Sequence, residues 1–435
     1  MKFSKTIATL LLGASSIAAL ASSARAADAV ATEAPAAGFN WSGVYVGFGG
    51  GVGAVVRGTE VVAPGGSPTQ GLMDLGGDGV FAEVSAGYDY LVSERVLVGG
   101  FIDAHAGNIA FSVENMLGGG ELSLKNKYGF DVAARAGYLL TPTTLGYVLG
   151  GYTWQHIELD APGAVPFDTD KNRSGYVLGV GMETAISGNW TLKSEYRYAN
   201  YGNNIAIENL GGGALKFEPT THTFHIGANY RFGAQNGGGT SFAAPAYSWT
   251  GFYVGGALGA GAIVDELKDP SGTTSIHGIG GEGLFGELNV GYDQEFNGIW
   301  VAGLQLGGRY SGMTTQLFDA SAFGGPKYEG KADYGFDLLA RVGAKLNETT
   351  LAYALGGYSW QHVEEKMSVP GLSETRDWSV NGFSVGGGLE TAVSNNVSVN
   401  LEYRYSQYNG HDNEDGSETI PAFHTVRVGA KYKFN

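Results

Sequence analysis

The 435-residue chain has no cysteine, which excludes disulfides, thiolate metal sites and cysteine nucleophiles together. Proline is scarce, at 12 residues, so collagen-like and proline-rich disordered architectures are excluded as well. Basic residues are outnumbered, 26 Lys and Arg against 42 Asp and Glu, and the formal net charge of -16 argues against nucleic acid as a partner. That acidity is read as the ordinary solubility of exposed loops. Long apolar runs are missing beyond the first residues, because Gly, Asp, Glu, Lys or Arg interrupts every candidate for a membrane helix. The one apolar run, Ile7 to Ala21, follows Lys2 and Lys5 and precedes Ala24-Arg25-Ala26. It is too short for a bilayer span and carries a small-x-small cleavage site, so residues 1–26 read as an export signal.

Glycine, by contrast, is abundant at 73 residues, and aromatics make up 12%. That combination suits strands and tight turns. The chain also says nearly the same thing twice. Tyr128-Gly-Phe-Asp-Val-Ala-Ala-Arg135 returns as Tyr334-Gly-Phe-Asp-Leu-Leu-Ala-Arg341, and Leu145 to Glu158 returns as Leu351 to Glu364. Trp41-Ser-Gly-Val-Tyr-Val-Gly47 pairs with Trp249-Thr-Gly-Phe-Tyr-Val-Gly255, and Glu195-Tyr-Arg-Tyr198 with Glu402-Tyr-Arg-Tyr405. A period of about 205 residues is too long for a solenoid and marks a duplicated domain. The expected organisation is a signal peptide (1–26), a flexible lead-in (27–38), a first repeat (39–233), a linker (234–246) and a second repeat (247–435).

Within each repeat the hydrophobic period is two. Tyr128, Phe130, Val132, Ala134, Ala136, Tyr138 and Leu140 fall on one face of a strand; Lys127, Asp131 and Arg135 fall on the other. The same alternation recurs around Glu83 to Tyr90, Tyr176 to Ile186, Leu192 to Tyr198 and Phe224 to Phe232, whereas 96–113 and 145–159 show no clean faces. Short turns near 92–95, 141–144 and 187–189 alternate with longer Gly-, Pro- and Asp-rich loops near 57–79, 115–125, 160–174 and 202–220. Eight strands per repeat, tight at one end and loopy at the other, follow.

A soluble sandwich would hide the apolar faces between two sheets, whereas a membrane barrel turns them to lipid. Strand length, aromatics at strand ends and the alternation of short and long connections favour the barrel. The expected fold is all-β, a transmembrane antiparallel up-and-down β-barrel, built as two tandem eight-stranded barrels. One sixteen-stranded barrel is the alternative, disfavoured by a linker that is long for a turn. Val132, Leu178 and Leu192 are expected to face lipid, and Ser85 and Gly179 the lumen.

The Trp-x-Gly-x-Tyr-Val-Gly openings, the Gly-Tyr-Asp stretches at Gly87 to Asp89 and Gly291 to Asp293, the Glu-Tyr-Arg-Tyr strands and the Gly-Ala-x-Tyr-x-Phe endings resemble the opacity-like, OmpA-like small outer-membrane barrels of the porin family, in particular the major surface antigens of alphaproteobacteria. The resemblance covers each repeat separately, and the tandem copy departs from the family's single-barrel form. It implies the outer membrane as location, with a role as a surface protein, an envelope-stabilising protein or a modest pore.

The candidate functional residues are the charges expected to face the lumens. In the first repeat these are Glu83, Asp89, Asp131, Arg135, Glu183, Lys193, Glu195, Arg197 and Arg231. In the second they are Glu287, Asp293, Asp337, Arg341, Lys345, Glu390, Glu402, Arg404, Arg427 and Lys431. Both signs occur in similar number, so the charges can pair and plug a barrel only just wide enough for its own side chains. His156 and His362 in Trp-Gln-His, the His222-x-x-His225 pair and the acidic stretches Asp168–Asn172 and Asp412–Gly416 are weaker candidates for metal or catalysis. Gly49 to Gly53 lacks the Lys-Ser/Thr of a phosphate loop and reads as packing space. The reading is therefore a non-enzymatic surface or envelope-structural barrel, with limited pore activity at most and no cofactor or metal. Its expected partners are outer-membrane lipid and lipopolysaccharide, the assembly machinery, and a host or cell-surface ligand of unknown identity. A general diffusion porin, an adhesin and a lipid-modifying enzyme are the alternatives.

Overall fold

The computed structural model describes residues 39–62, 70–71, 74–114, 121–160, 170–202, 205–210, 213–235, 239–240, 242–321 and 324–434. The export signal, the lead-in and Asp168 lie outside the described residues. In the first repeat the main strands are β1 (Gly43–Val62), β2 (Leu75–Leu91), β3 (Val96–Glu114), β4 (Leu122–Thr141), β5 (Thr144–Asp160), β6 (Asp170–Ser187), β7 (Trp190–Asn200) and β8 (Gly213–Arg231). In the second they are β9 (Gly251–Lys268), β10 (Ser275–Phe296), β11 (Trp300–Asp319), β12 (Lys327–Asn347), β13 (Thr350–Val369), β14 (Leu372–Ala392), β15 (Val397–Tyr408) and β16 (Ala422–Lys433).

Each strand pairs antiparallel with the next, and the first of each repeat pairs with the last: Tyr45 opposite Arg231 in β1 and β8, Tyr253 opposite Lys433 in β9 and β16. Two eight-stranded barrels therefore close separately, and the single sixteen-stranded ring does not form. The Gly49 to Gly53 run lies in β1, where a Cβ on Gly49 would come 2.5 Å from the Ile226 carbonyl oxygen and 2.8 Å from the Gly227 Cα. Here glycine lets neighbouring strands approach closely.

The barrels are inside-out relative to a soluble protein. Val132, Leu178, Leu258 and Leu288 are 46%, 53%, 77% and 77% exposed on the outer surface, while Arg197 and Arg404 are buried inside. The strands run to 22 residues, about twice what a tilted strand needs to cross the hydrocarbon, so the loop-side hairpins project beyond the membrane. At the turn end, Trp41 and Trp249 close the two barrel mouths, donating from Nε1 to the Pro142 and Glu348 carbonyls at 3.1 and 3.3 Å. Around Trp41, Leu97, Leu139, Leu145 and Leu149 point inward as an apolar plug. This explains why β3 and β5 show no clean alternation: both their faces are apolar near that end.

The barrels stand side by side with turn ends together, and the contact is self-complementary. Thr144 and its repeat counterpart Thr350 meet hydroxyl to hydroxyl at 2.8 Å. His222 of the first barrel lies 2.9 Å from Glu282 of the second, and the counterparts His424 and Asp78 approach to 3.4 Å. Ala54 packs against its counterpart Ala262, and Phe224 stacks on Tyr403 at 5.2 Å. Residue i touching j while the copy of j touches the copy of i is the signature of an isologous, two-fold interface. Because lipid is as apolar as leucine, such a contact depends on close packing of small residues and on polar links. Leu192, expected to face lipid, is instead buried here among Met182, Ala352 and Leu389. At the loop end the sheets join, Ser275–His277 of β10 pairing with Ser112–Glu114 of β3. Beside them, Asp74 donates its N–H to the Gln316 carbonyl at 2.9 Å and accepts the Gln316 N–H on its carboxylate at 3.1 Å.

Cleavage at a protease site inserted beside Gly239 is expected to leave two halves that each keep the heat-modifiable gel mobility of a folded barrel; loss of that mobility in both would contradict separate closure. A second expectation concerns acidity. Burial pushes the Asp74 carboxyl up to about 6 despite the Gln316 N–H. A carboxyl with a folded pKa above its unfolded value holds its proton more tightly when folded, so its contribution to stability falls as pH rises from about 4 to about 6. Asp74→Asn should flatten the stability profile across that window, as read from unfolding midpoints; an unchanged profile would contradict it.

Candidate functional site: the charged lumens

Alternation sends every second side chain inward, and a sheet closed on eight strands leaves room only for those side chains. Glu83, Asp131, Arg135, Glu183, Lys193, Glu195 and Arg197 are all buried inside the first barrel, as are Glu287, Asp337, Arg341, Glu390, Glu402 and Arg404 inside the second. Of the other expected lumen charges, Asp89, Arg231, Asp293, Arg427 and Lys431 are buried with them. Lys345 is not in the network: it sits at the turn mouth and pairs with Glu295 at 3.1 Å and Glu348 at 3.0 Å.

The first lumen has two layers. Near the turns, Arg135 and Arg231 both bridge Asp89 and Glu183, with Arg135 Nε donating to Asp89 at 2.9 Å and Arg231 Nη2 to Glu183 at 2.9 Å. Thr191 and Asn229 donate to the same Glu183 carboxylate. Both guanidiniums lie over the Tyr45 ring, 4.7 and 4.8 Å from its centre. In the middle layer Arg197 spans the lumen from β7, donating to Glu195 at 2.6 Å, to Asp131 at 2.7 Å and to Asp103. Lys193 pairs with Glu83 at 2.8 Å, and His225 Nδ1 lies 2.7 Å from the other oxygen of Glu83. Tyr147 donates to Glu195 at 2.6 Å while lying beneath Arg135, and so joins the layers.

The second lumen repeats this plan with substitutions that move charge between neighbouring strands. Arg341 bridges Asp293 and Glu390, Lys431 reaches Glu390 at 2.8 Å and Lys433 reaches Asp293 at 3.3 Å. In the middle layer Arg404 donates to Glu402, Glu287 and Asp337; Arg427 holds Glu287; and Arg309 holds Asp337 at 3.0 Å. Three carboxylates thus face three guanidiniums. In the first barrel the same layer sets four carboxylates, Glu83, Asp103, Asp131 and Glu195, against two permanent cations, Lys193 and Arg197. His105 and His225 stand where the second barrel has Arg309 and Arg427.

Asp103, His105, Arg309 and Lys433 escaped the sequence reading. Asp103 and His105 lie in β3, where the alternation is obscured, but Lys433 has the same parity as Arg427 and Lys431, a signal that was present. The weaker candidates find ordinary roles. Three residues apart on a strand means opposite faces, so His222 points out to the inter-barrel contact and His225 into the lumen, and they share no ligand. His156 and His362 stack on Tyr128 and Tyr334, each at 4.6 Å, within the aromatics at the loop end. In the second acidic stretch, Asp415 caps Ser417 and Glu414 pairs with Arg376.

A closed antiparallel sheet that presents leucine outward and buries paired charge is the form of a transmembrane β-barrel. Comparison with known proteins places it. The model of the outer membrane protein beta-barrel domain matches residues 7–232 and again 237–434, and the chain belongs to that family. Over 238 residues it is 31% identical to a 31 kDa outer-membrane immunogenic protein of Brucella melitensis, an alignment covering 50% of this chain and 97% of the relative. It is 29% identical to a 22 kDa outer membrane protein of Rhizobium leguminosarum, covering 44% and 80%. The attachment invasion locus protein Ail of Yersinia pestis aligns with 41% of this chain and 98% of its own at 22% identity and a TM-score of 0.24. The protein is an outer-membrane β-barrel protein related to bacterial surface antigens.

Arg197→Ala would strand carboxylates on β3, β4 and β7 at once. Removing one partner of a buried ion network costs roughly 3 to 5 kcal/mol when water stays out. Chemical unfolding of the full chain should show a loss of that order, and Glu195→Gln in the same background should recover only part of it, because Asp103 and Asp131 still lack the guanidinium, Asp103 keeping only its contact with His105. No loss would mean that the network is solvated.

Proposed function

We propose that the protein is a surface and envelope-structural component of the outer membrane whose two lumens are closed to most solutes. The observation that supports this most is the reach of Arg197 and Arg404, each tying carboxylates on three strands across the middle of its barrel. Trp41 and Trp249, fully buried at the turn-end mouths, add bulk to the same obstruction. Outer-membrane lipid and lipopolysaccharide are the partners that the apolar belt suits, and the assembly machinery is the route by which both barrels reach the membrane.

A second reading, presentation of the loops to another cell, is favoured by the joined sheet at the loop end, where Ser275–His277 of β10 pair antiparallel with Ser112–Glu114 of β3. The immunogenic relatives support surface exposure. Binding of a host or neighbouring-cell ligand would add to the structural role rather than replace it.

Single-channel recording in planar bilayers tests the first reading. Rare, small or flickering openings are expected from the wild-type chain, and the Arg197→Ala and Arg404→Ala variants should increase the leak. A large steady conductance in the wild type would contradict the closed-lumen proposal and favour a porin.

A further inference from the structure

The middle layer of the first lumen is short of positive charge, and one face of it is unsatisfied. Arg197 engages only the Oδ2 atoms of Asp103 and Asp131. Asp131 Oδ1, buried, has no hydrogen-bond partner. Asp103 Oδ1 faces His105 Nδ1 at 3.2 Å. Ligand atoms of Asp103, His105 and Asp131 all lie within 4.8 Å of one another. Beside His105 and Asp131 is a cavity of about 30 Å³, room for one water.

The second barrel shows what occupies the equivalent position there. His105 is replaced by Arg309, whose guanidinium holds Asp337, and Asp103 is replaced by Gly307. The first barrel has therefore lost a tethered cation and gained a carboxylate and an imidazole, both ligand types for a divalent metal. We infer that Asp103, His105 and Asp131 form a divalent-cation site inside the first barrel, suited to zinc or another first-row ion that accepts mixed nitrogen and oxygen ligands.

The chemistry is consistent with this assignment. Donors on a tetrahedral zinc lie about 3.4 Å apart, so groups whose ligand atoms already lie within 4.8 Å of one another reach that spacing through small side-chain shifts, and water in the cavity completes the shell. The carboxylates then bridge the metal through Oδ1 and Arg197 through Oδ2, an outer-shell arrangement that fixes the orientation of ligating carboxylates. A divalent ion also adds two positive charges to a layer that sets four carboxylates against Lys193 and Arg197; the next buried cation, Arg57, donates to Asn126 and to none of these carboxylates. Protonation of both His105 and His225 is the competing way to balance that charge, but the hydrogen bond of His105 goes to Asp103 and leaves Asp131 Oδ1 bare.

The test uses the full chain, folded in detergent, stripped with a chelator and titrated with zinc chloride, with bound metal and the thermal unfolding midpoint measured for the wild type, His105→Ala and His105→Arg. The expected result is a single tightly held equivalent of zinc and a raised midpoint in the wild type, both lost in the two variants. His105→Arg, which imitates Arg309, should be insensitive to zinc yet at least as stable as the stripped wild type, and it decides the matter if His105→Ala does not fold. Zinc held equally by His105→Arg would overturn the site and point to exposed groups such as His277, which lies 3.7 Å from both Glu114 and Glu266. A wild type that retains no zinc, and is stabilised only by acidification, would overturn it in favour of protonated histidines.

Discussion

Everything in this molecule follows from the cost of an unpaired backbone group in hydrocarbon. A sheet that must satisfy every N–H and C=O without water has to close, and each repeat closes on itself, β1 on β8 and β9 on β16. Closure on eight strands then sets the width of the lumen, and the width sets its content. An isolated charge is costly in a space filled by side chains, so most inward charges come as networks in which Arg135, Arg197, Arg231, Arg341 and Arg404 each serve several carboxylates.

The duplication lets the same scaffold be read twice. Position by position, cations migrate between neighbouring strands: Lys193 corresponds to Asn400 while Asn229 corresponds to Lys431, and His225 corresponds to Arg427. The acidic framework of Glu83, Asp89, Asp131, Glu183 and Glu195 is matched throughout by Glu287, Asp293, Asp337, Glu390 and Glu402. The two-fold contact between the barrels, with Thr144 on Thr350 and Ala54 on Ala262, is the geometry of a symmetric dimer whose subunits have been joined by a linker. Tethering replaces a bimolecular encounter in the membrane by an intramolecular one, so a modest interface suffices.

Sequence reasoning reached the fold and most of the lumen because one face of each strand is apolar and the other charged, as in Tyr128 to Leu140. It failed where that contrast disappears. In β3 and β5 the inward residues near the turns are Leu97, Phe101, Leu145 and Leu149, so both faces look alike and Asp103 and His105 were lost with them. The inter-barrel face was invisible for a related reason: Leu178 meets lipid and Leu192 meets the other barrel, two surroundings that ask for the same kind of side chain.

The central claim is that two rings exist rather than one, and strand partners test it most directly. The native chain has no cysteine, so introduced pairs report without background. Val46 lies opposite Tyr230, and Val254 opposite Tyr432. Cysteine pairs at 46 and 230, and at 254 and 432, should cross-link efficiently in the membrane-inserted protein, while pairs at 46 and 432 or at 230 and 254 should not. Cross-linking of the second set in place of the first would mean that the repeats open onto each other as a sixteen-stranded barrel, and would contradict the account.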